Sequence, residues 1–185
     1  MRAVVSADGK PLKAFPLEVT PVADSATVYQ LNRMLTQVTQ RGTGRAVYAR
    51  LPPDIVVAGK TGTSDDFRDS WFAGFTGSHL AVTWVGFDDN QPTGLTGSAG
   101  ALSVWSKIMR ELDPLSWDPA LPESLTDVWI EYATGYKAKP GCAEDLVSVA
   151  VPADAVLPVM PGCGDDPLSE FADRTRQWLE GLIRQ

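Results

Sequence analysis

Residues 54–87 decide the fold, and they read DIVVAGKTGTSDDFRDSWFAGFTGSHLAVTWVGF. Three runs rich in β-branched and aromatic residues, at 54–63, 70–75 and 79–87, predict three strands. The connections between the runs are only a few residues long, which favours antiparallel over parallel pairing. This stretch therefore predicts a three-stranded antiparallel meander at the centre of the fold.

Helical patterns flank this stretch on both sides. Asp24 or Ser25 can cap a helix before it, and Gly42 and Gly44 favour a turn at the end of that helix. Ser98 is placed to cap a second helix after the strands. The apolar positions of the two helices are Val28, Leu31, Met34, Leu35 and Val38, then Leu102, Trp105, Ile108, Met109 and Leu112. The order predicts an α/β chain of the α+β kind, an antiparallel sheet packed with helices.

Shorter patterns lie towards the two ends of the chain. The pair Asp8-Gly9 between apolar runs predicts a hairpin near the N-terminus. Residues 128–132 and 146–151 predict two short strands. Asp166-Pro167 begins an amphipathic helix, which we expect to dock on the body of the protein. The positions along one side of that helix are Leu168, Phe171, Ala172, Thr175, Trp178, Leu179 and Leu182.

Charge and proline divide the chain into two regions. The 185 residues carry a net charge of −7, which disfavours nucleic acid as a partner. Residues 1–112 have a net charge of +1, whereas residues 113–185 have a net charge of −8 and hold 8 of the 14 prolines. We therefore predict a compact unit at 1–112 and a looser acidic extension at 113–185. The alternative is a single domain with an acidic flank.

The only two cysteines, Cys142 and Cys163, each lie beside glycine in loop-like sequence. Two cysteines and one distant histidine do not make a closed zinc site, so we predict no metal and no cofactor. A Cys142–Cys163 disulfide would place the chain in an oxidising compartment. Two free thiols are the alternative.

Residues 59–64, Gly-Lys-Thr-Gly-Thr-Ser, carry the candidate chemistry. A phosphate loop would need a glycine at position 54, which is Asp54, and a helix after the lysine, so we reject nucleotide binding. On a strand, Thr61 and Thr63 share one face, and both hydroxyls can hold one carboxylate. Lys60 adds a positive charge, and Gly62 lets a substrate backbone approach the strand.

The backbone N–H of Thr63 is then available to an oxyanion. The bland alternative is a polar strand end with a surface lysine. Other candidates have structural interpretations: His79 as a surface turn residue, the tryptophans as packing anchors, and Asp65, Asp66 and Asp69 as turn carboxylates, of which Asp69 could shape a cleft rim.

Several further runs match one family together with the Lys-Thr-Gly triplet. They are AGKTGTS at 58–64, DSWFAG at 69–74, VTWVG at 82–86, DNQPT at 89–93 and RGTG at 41–44. This set resembles the class A penicillin-binding proteins. Residues 90–93 and 97–101 look most like the 1B type, and the cysteine pair and terminal helix of the extension are similar to that subgroup. The resemblance implies part of a penicilloyl-serine transpeptidase, or β-lactamase-like, fold.

The resemblance also implies an activity. The family builds the bacterial cell wall at the periplasmic face of the inner membrane, with consequences for cell shape and antibiotic resistance. Its members are serine-type D,D-transpeptidases that also carry a glycosyltransferase. A serine attacks the D-Ala-D-Ala end of a peptidoglycan stem peptide, and β-lactams trap that serine. Lys60, Thr61, Gly62 and Thr63 match the positions that bind the donor or β-lactam carboxylate, and the Thr63 N–H matches an oxyanion donor.

The partners implied are stem peptides, β-lactams, a lipoprotein regulator, and divisome or elongasome proteins. Membrane contact would come only through an N-terminal anchor that this sequence does not contain.

Two catalytic motifs of the family are not found in the 185 residues. The family needs Ser-x-x-Lys, but the residues three positions before the six lysines are Ala7, Lys10, Val57, Val104, Thr134 and Tyr136. Ser-x-Asn is not found either, because Gln30 and Asp88 stand two positions before the two asparagines. We expect the C-terminal part of a longer transpeptidase, inactive alone. The alternatives are a non-catalytic binding module and a D,D-carboxypeptidase or β-lactamase fragment.

Overall fold

The computed structural model describes residues 3–14, 16 and 20–161. In chain order its elements are β1 (Ala3–Val5), β2 (Pro11–Ala14), α1 (Ser25–Gln40), β3 (Ala58–Thr63), β4 (Ser70–Phe75), β5 (Leu80–Val85), α2 (Ala101–Glu111), β6 (Leu125–Glu131) and β7 (Leu146–Pro152). Short 3-10 turns cover Arg45–Ala49 and Asp65–Phe67. The described strands form three antiparallel sheets, β1-β2, β3-β4-β5 and β6-β7. The predicted α/β class with antiparallel sheets is confirmed, as is the N-terminal hairpin.

The central sheet is the predicted meander, with strand order β3-β4-β5. Its inner face is the one that carries Ser70 and Phe72, and its outer face is the one that carries Lys60, Trp71 and Trp84. Phe72 is fully buried and packs edge-on against Trp105 of α2, with ring centroids 5.1 Å apart. The inner face is therefore the one on which the main core forms. The buried members of that core are Val47, Leu51, Val57, Phe72, Ala101, Leu102, Trp105 and Met109.

The first strand of the sheet is shorter than predicted. It begins at Ala58, and the β-branched run 55–57 before it lies outside any strand. The backbone of Val56 is instead held by the 116–117 loop, because its N–H donates to Ser116 Oγ (2.8 Å) and its carbonyl accepts from Trp117 N–H (3.0 Å). A loop distant in sequence thus satisfies backbone groups that strand pairing would otherwise satisfy.

Helix α1 forms where it is predicted. The Asp24 carboxylate caps its first turn by accepting from the Thr27 N–H (2.9 Å), and this hydrogen bond lowers the pKa of Asp24. Its packing is not the expected one, because Leu31 and Met34 are 56% and 66% exposed. The buried positions are polar, Thr36 and Thr39, and the Thr39 hydroxyl donates to the Val57 carbonyl (2.6 Å).

Helix α2 begins at Ala101 with Gly100 at the N-cap, so the prediction that Ser98 caps this helix is wrong. The hydroxyl of Ser70 on β4 accepts from the Ala101 N–H instead (2.8 Å). Ser70 thereby satisfies a backbone N–H in the first turn of α2 and links the helix to β4.

The β6-β7 hairpin, which lies within residues 113–185, packs against α1. Gln30 donates to the Ala150 carbonyl (2.9 Å), and Arg33 pairs with Asp127 (3.5 Å). Both strands predicted here are confirmed with slightly different ends. The predicted helix from Asp166 and the residue Cys163 lie outside the described residues, so the helix and the disulfide stay predictions.

No helix in the described ranges is both long enough and apolar enough to cross a bilayer.

Candidate functional site

The Lys-Thr-Gly-Thr segment lies on β3, which is an edge strand among the described residues. Thr61 stands opposite Phe72 and Thr63 opposite Ser70, so both threonine side chains belong to the inner face. Lys60 stands opposite Ala73, on the outer face. The structure therefore brings the two hydroxyl-bearing residues to one face, as predicted, and places the lysine stem on the other.

The backbone direction of β3 follows from one hydrogen bond at its end. The Ser64 N–H donates to the Asp69 carbonyl (3.1 Å), which makes these two residues a hydrogen-bonded pair. Antiparallel pairing alternates, so the N–H groups of Thr61 and Thr63 point away from β4. They face the edge that no described strand pairs with.

The ammonium group of Lys60 reaches the same edge. Its Nζ donates to the carbonyl of Thr61 at 2.7 Å, although the side chain starts from the outer face. Within the part of the chain that the structure describes, no carboxylate lies at salt-bridge distance from this ammonium. The edge thus combines an unneutralised positive charge with backbone donors, which is an arrangement suited to an anion.

Two contacts from other elements hold the threonine hydroxyls. The Oγ1 atoms of Thr43 and Thr61 lie 2.6 Å apart, a hydroxyl pair in which either can donate. The backbone N–H of Gly97 donates to Thr63 Oγ1 at 2.9 Å. Because a threonine hydroxyl has one hydrogen, an accepted bond at Thr63 leaves that hydrogen free to donate elsewhere.

Gly97 lies against the strand more closely than another residue could. A Cβ added there would stand 2.6 Å from the Gly62 carbonyl oxygen and 2.7 Å from the Trp71 carbonyl oxygen. Gly62 is also constrained on its own side, since a Cβ there would meet the Trp71 Cβ at 3.1 Å. Packing within the sheet is therefore one requirement for glycine at 62, in addition to the substrate approach predicted from sequence.

The turn between β3 and β4 is stabilised by Asp69. Its carboxylate accepts from Ser64 Oγ (3.0 Å) and from Trp84 Nε1 (2.9 Å). Asp65 and Asp66 are exposed in the same turn. The prediction of solvated turn carboxylates is confirmed for Asp65 and Asp66, whereas Asp69 is half-buried and both its carboxylate oxygens accept hydrogen bonds.

The structure also tests the predictions for His79 and for the tryptophans. His79 lies in the β4–β5 turn, hydrogen-bonded to Ser78 Oγ (2.9 Å), as expected for a turn residue. Trp105 is a core anchor, whereas Trp71 and Trp84 are almost half exposed and contact each other on the outer face, with centroids 6.1 Å apart. The prediction of packing anchors therefore holds for Trp105 and only partly for the outer pair.

The cavities near the extension do not involve β3. One of about 570 Å³ lies beside Trp129 and Lys137, and one of about 270 Å³ lies between Arg33 and Leu146. Among the described residues, no three acidic, histidine or cysteine side chains group to hold a metal ion.

Sequence reasoning missed Thr43 and Gly97 as residues of this site. Both lie in glycine-containing runs that belong to the family resemblance, Arg-Gly-Thr-Gly at 41–44 and Gly-Ser-Ala-Gly at 97–100. Their contacts join residues 18 and 34 positions apart. The glycine content of both runs was the available signal, because glycine often marks close backbone approach.

Three comparisons place this geometry among known proteins. No protein-family model matches the chain. The chain is 41% identical over 133 residues to penicillin-binding protein 1B of Escherichia coli K12, covering 71% of this chain and 16% of that protein. It is 36% identical over 126 residues to penicillin-binding protein 1B of Vibrio cholerae, and 35% identical over 130 residues to penicillin-binding protein 1A of Pseudomonas aeruginosa. The chain therefore spans about one sixth of the length of these relatives.

A solved structure shares the fold. The crystal structure of penicillin-binding protein 1A from Haemophilus influenzae superposes with a TM-score of 0.68 at 20% identity. The match covers 86% of this chain and 29% of that one. The antiparallel sheet with its two helices is therefore part of a larger known fold.

Proposed function

Because the chain belongs to the class A penicillin-binding proteins, we propose that β3 supplies the carboxylate-binding strand of a peptidoglycan D,D-transpeptidase. In this proposal Lys60, Thr61 and Thr63 hold the terminal carboxylate of a D-Ala-D-Ala stem peptide, or the carboxylate of a β-lactam. Gly62 lies between them on the strand. The N–H of Thr63 is one donor to the oxyanion that forms when the peptide carbonyl is attacked.

The observation that carries the proposal is the convergence of donors on one edge. The Lys60 ammonium and the Thr61 and Thr63 N–H groups face that edge, and the Thr63 hydroxyl is left as a donor. Hydrogen bonds from charged or oriented donors to a carboxylate are stronger than neutral ones. Among the described residues no carboxylate lies within salt-bridge distance of the Lys60 ammonium, so an incoming carboxylate has no ion pair to displace there.

The proposed division of labour leaves the covalent step to another segment. The sequence contains no Ser-x-x-Lys, so in this proposal the serine nucleophile and its lysine come from outside these 185 residues. Residues 1–112 then belong to the transpeptidase domain, and residues 113–185 form its C-terminal extension. We extend the proposal to a parent protein that faces the periplasm and also carries the glycosyltransferase.

A titration tests the binding half of this proposal. We expect the ¹⁵N–¹H NMR signals of Thr61 and Thr63 to shift with diacetyl-L-Lys-D-Ala-D-Ala, and to shift much less with its C-terminal amide. Lys60→Ala and Thr63→Val should each weaken binding about tenfold, because each removes a donor to a charged group. Lys107→Ala on α2 and Thr126→Val on β6 are matched controls that should bind as the wild type does. Equal binding of acid and amide would contradict the proposal.

A labelling experiment tests the catalytic half. The isolated chain should form no adduct with a fluorescent penicillin that survives denaturation. A chain extended upstream through a Ser-x-x-Lys segment should form one, and Lys60→Ala should slow its formation. Denaturation-resistant labelling of the 185-residue chain would refute the assignment of the nucleophile to another segment.

A further inference from the structure

The turn at residues 41–44 connects three parts of the molecule. It follows α1 directly, and Gly44 N–H donates back to the Val38 carbonyl of that helix (2.9 Å). The Arg41 guanidinium contacts the Asp145 carboxylate and the Leu146 carbonyl, and it lies over the Tyr132 ring at 5.7 Å. The end of α1 and the β6-β7 hairpin therefore both fix the position of this turn.

Thr43 is the residue that this turn presents to β3. Its hydroxyl oxygen lies 2.6 Å from the hydroxyl oxygen of Thr61, while the residue itself is exposed. Thr43 is not among the residues of the main core. Among the described residues, the hydroxyl contact with Thr61 is the one hydrogen bond of the Thr43 side chain, so the effect of that side chain falls on Thr61.

When an anion is present, hydrogen-bond chemistry decides which hydroxyl of the Thr43–Thr61 pair is the donor. A carboxylate accepts only, so a threonine that binds it must donate its single hydrogen to it. Thr61 then has only acceptor lone pairs left, and Thr43 becomes the donor within the pair. When Thr43 donates to the Thr61 oxygen, the Thr61 O–H bond is oriented towards the anion. The same hydrogen bond polarises the Thr61 hydroxyl, which makes it a stronger donor to the anion.

We propose that Thr43 is a positioning residue that orients the Thr61 hydroxyl towards the substrate carboxylate. The inference rests on the proposed function of β3. It adds to the β3 site a residue from a different element, the 41–44 turn. The β6-β7 hairpin holds this turn in place through Arg41. Thr63 has a comparable support in the Gly97 N–H, so both hydroxyls are backed by a donor from outside the strand.

Three variants of the full chain test the proposal by the same NMR titration with diacetyl-L-Lys-D-Ala-D-Ala. Thr43→Val keeps the shape and removes the hydroxyl, and it should raise the Kd about fivefold. Thr43→Ser restores the hydroxyl and should bind within about twofold of the wild type. Thr27→Val, which removes an exposed hydroxyl contact at the other end of α1, should not change the Kd. All three should unfold at the wild-type temperature within a few degrees, because Thr43 and Thr27 are exposed.

The outcomes separate the two proposals. If the wild type prefers the acid and Thr61→Val weakens binding, but Thr43→Val binds normally, this inference is wrong and the carboxylate strand stands. If Thr43→Ser is as weak as Thr43→Val, the effect is steric and the inference is also wrong. If the wild type does not prefer the acid over the amide, the proposed function fails and the positioning role fails with it.

Discussion

The two faces of the central sheet differ in what covers them more than in the residues they carry. On the inner face Phe72 is fully buried beneath α2, whereas on the outer face its neighbour Trp71 is 45% exposed. Both positions are aromatic, and both lie in the middle strand of the sheet. The difference shows that burial here is decided by the helix that packs on the strand, since strand composition is apolar on both sides.

Such two-sided apolar strands are typical of sheets that are covered on both faces.

In helix α1 the buried residues are polar and several apolar residues are exposed. Its apolar residues Leu31 and Met34 are exposed, whereas its threonines Thr36 and Thr39 are buried. A helix that buries threonines needs partners for their hydroxyls, and Thr39 finds one in the Val57 carbonyl.

The largest effect should come from the buried aromatic on the inner face. Phe72→Ala removes a fully buried ring and its contact with Trp105, and it should lower the free energy of unfolding by about 3–5 kcal/mol. Urea unfolding followed by circular dichroism measures this loss. Phe72→Leu, which refills most of the volume, should recover more than half of it. A loss below about 1 kcal/mol for Phe72→Ala would show that α2 does not pack on this face in solution.

The buried hydroxyl of Ser70 should give the second largest effect. It accepts from the Ala101 N–H and donates to the Thr96 carbonyl, both at 2.8 Å. Ser70→Ala leaves the buried Ala101 N–H without its partner, whereas the Thr96 carbonyl keeps its bond from the Gly100 N–H (2.9 Å), and the variant should cost about 2 kcal/mol of stability in the same unfolding experiment. Ser103→Ala on α2, where the side chain has no such pair of bonds, should stay within about 0.5 kcal/mol of the wild type. Equal values for the two variants would mean that water replaces both bonds.

These inner-face contacts mark the limit of sequence-based prediction. The meander and α1 were predictable because β-branched runs, short connections and an Asp cap are local signals. The family prediction is confirmed for the same reason, since its motifs are contiguous runs. The hydrogen bonds that Thr43, Gly97 and Ser70 make to other elements were not predictable, because packing brings together residues 18 to 34 positions apart. Likewise, no local rule distinguishes Trp71 from Phe72.

The outer aromatic should matter less than the inner one. Trp71→Ala removes a half-exposed ring and its tilted contact with Trp84, and it should reduce stability by about 1 kcal/mol. Trp71→Phe keeps an aromatic contact and should recover most of that loss. A loss for Trp71→Ala as large as that for Phe72→Ala would show that the outer face is covered in solution and would remove the contrast between the faces.

The smallest effect should come from Leu80, which is 74% exposed at the start of β5 on the outer face. Leu80→Thr replaces an apolar side chain by a polar one that also favours strands, so we expect a change within about 0.5 kcal/mol. Leu102→Thr, at a fully buried position of α2, is the matched control and should cost at least about 2 kcal/mol. If Leu80→Thr instead destabilises the chain by more than about 1.5 kcal/mol, Leu80 is covered in solution by another segment or by a second copy of the chain. Repeating the unfolding at several protein concentrations then identifies the source, since self-association makes the midpoint rise with concentration and an intramolecular contact does not.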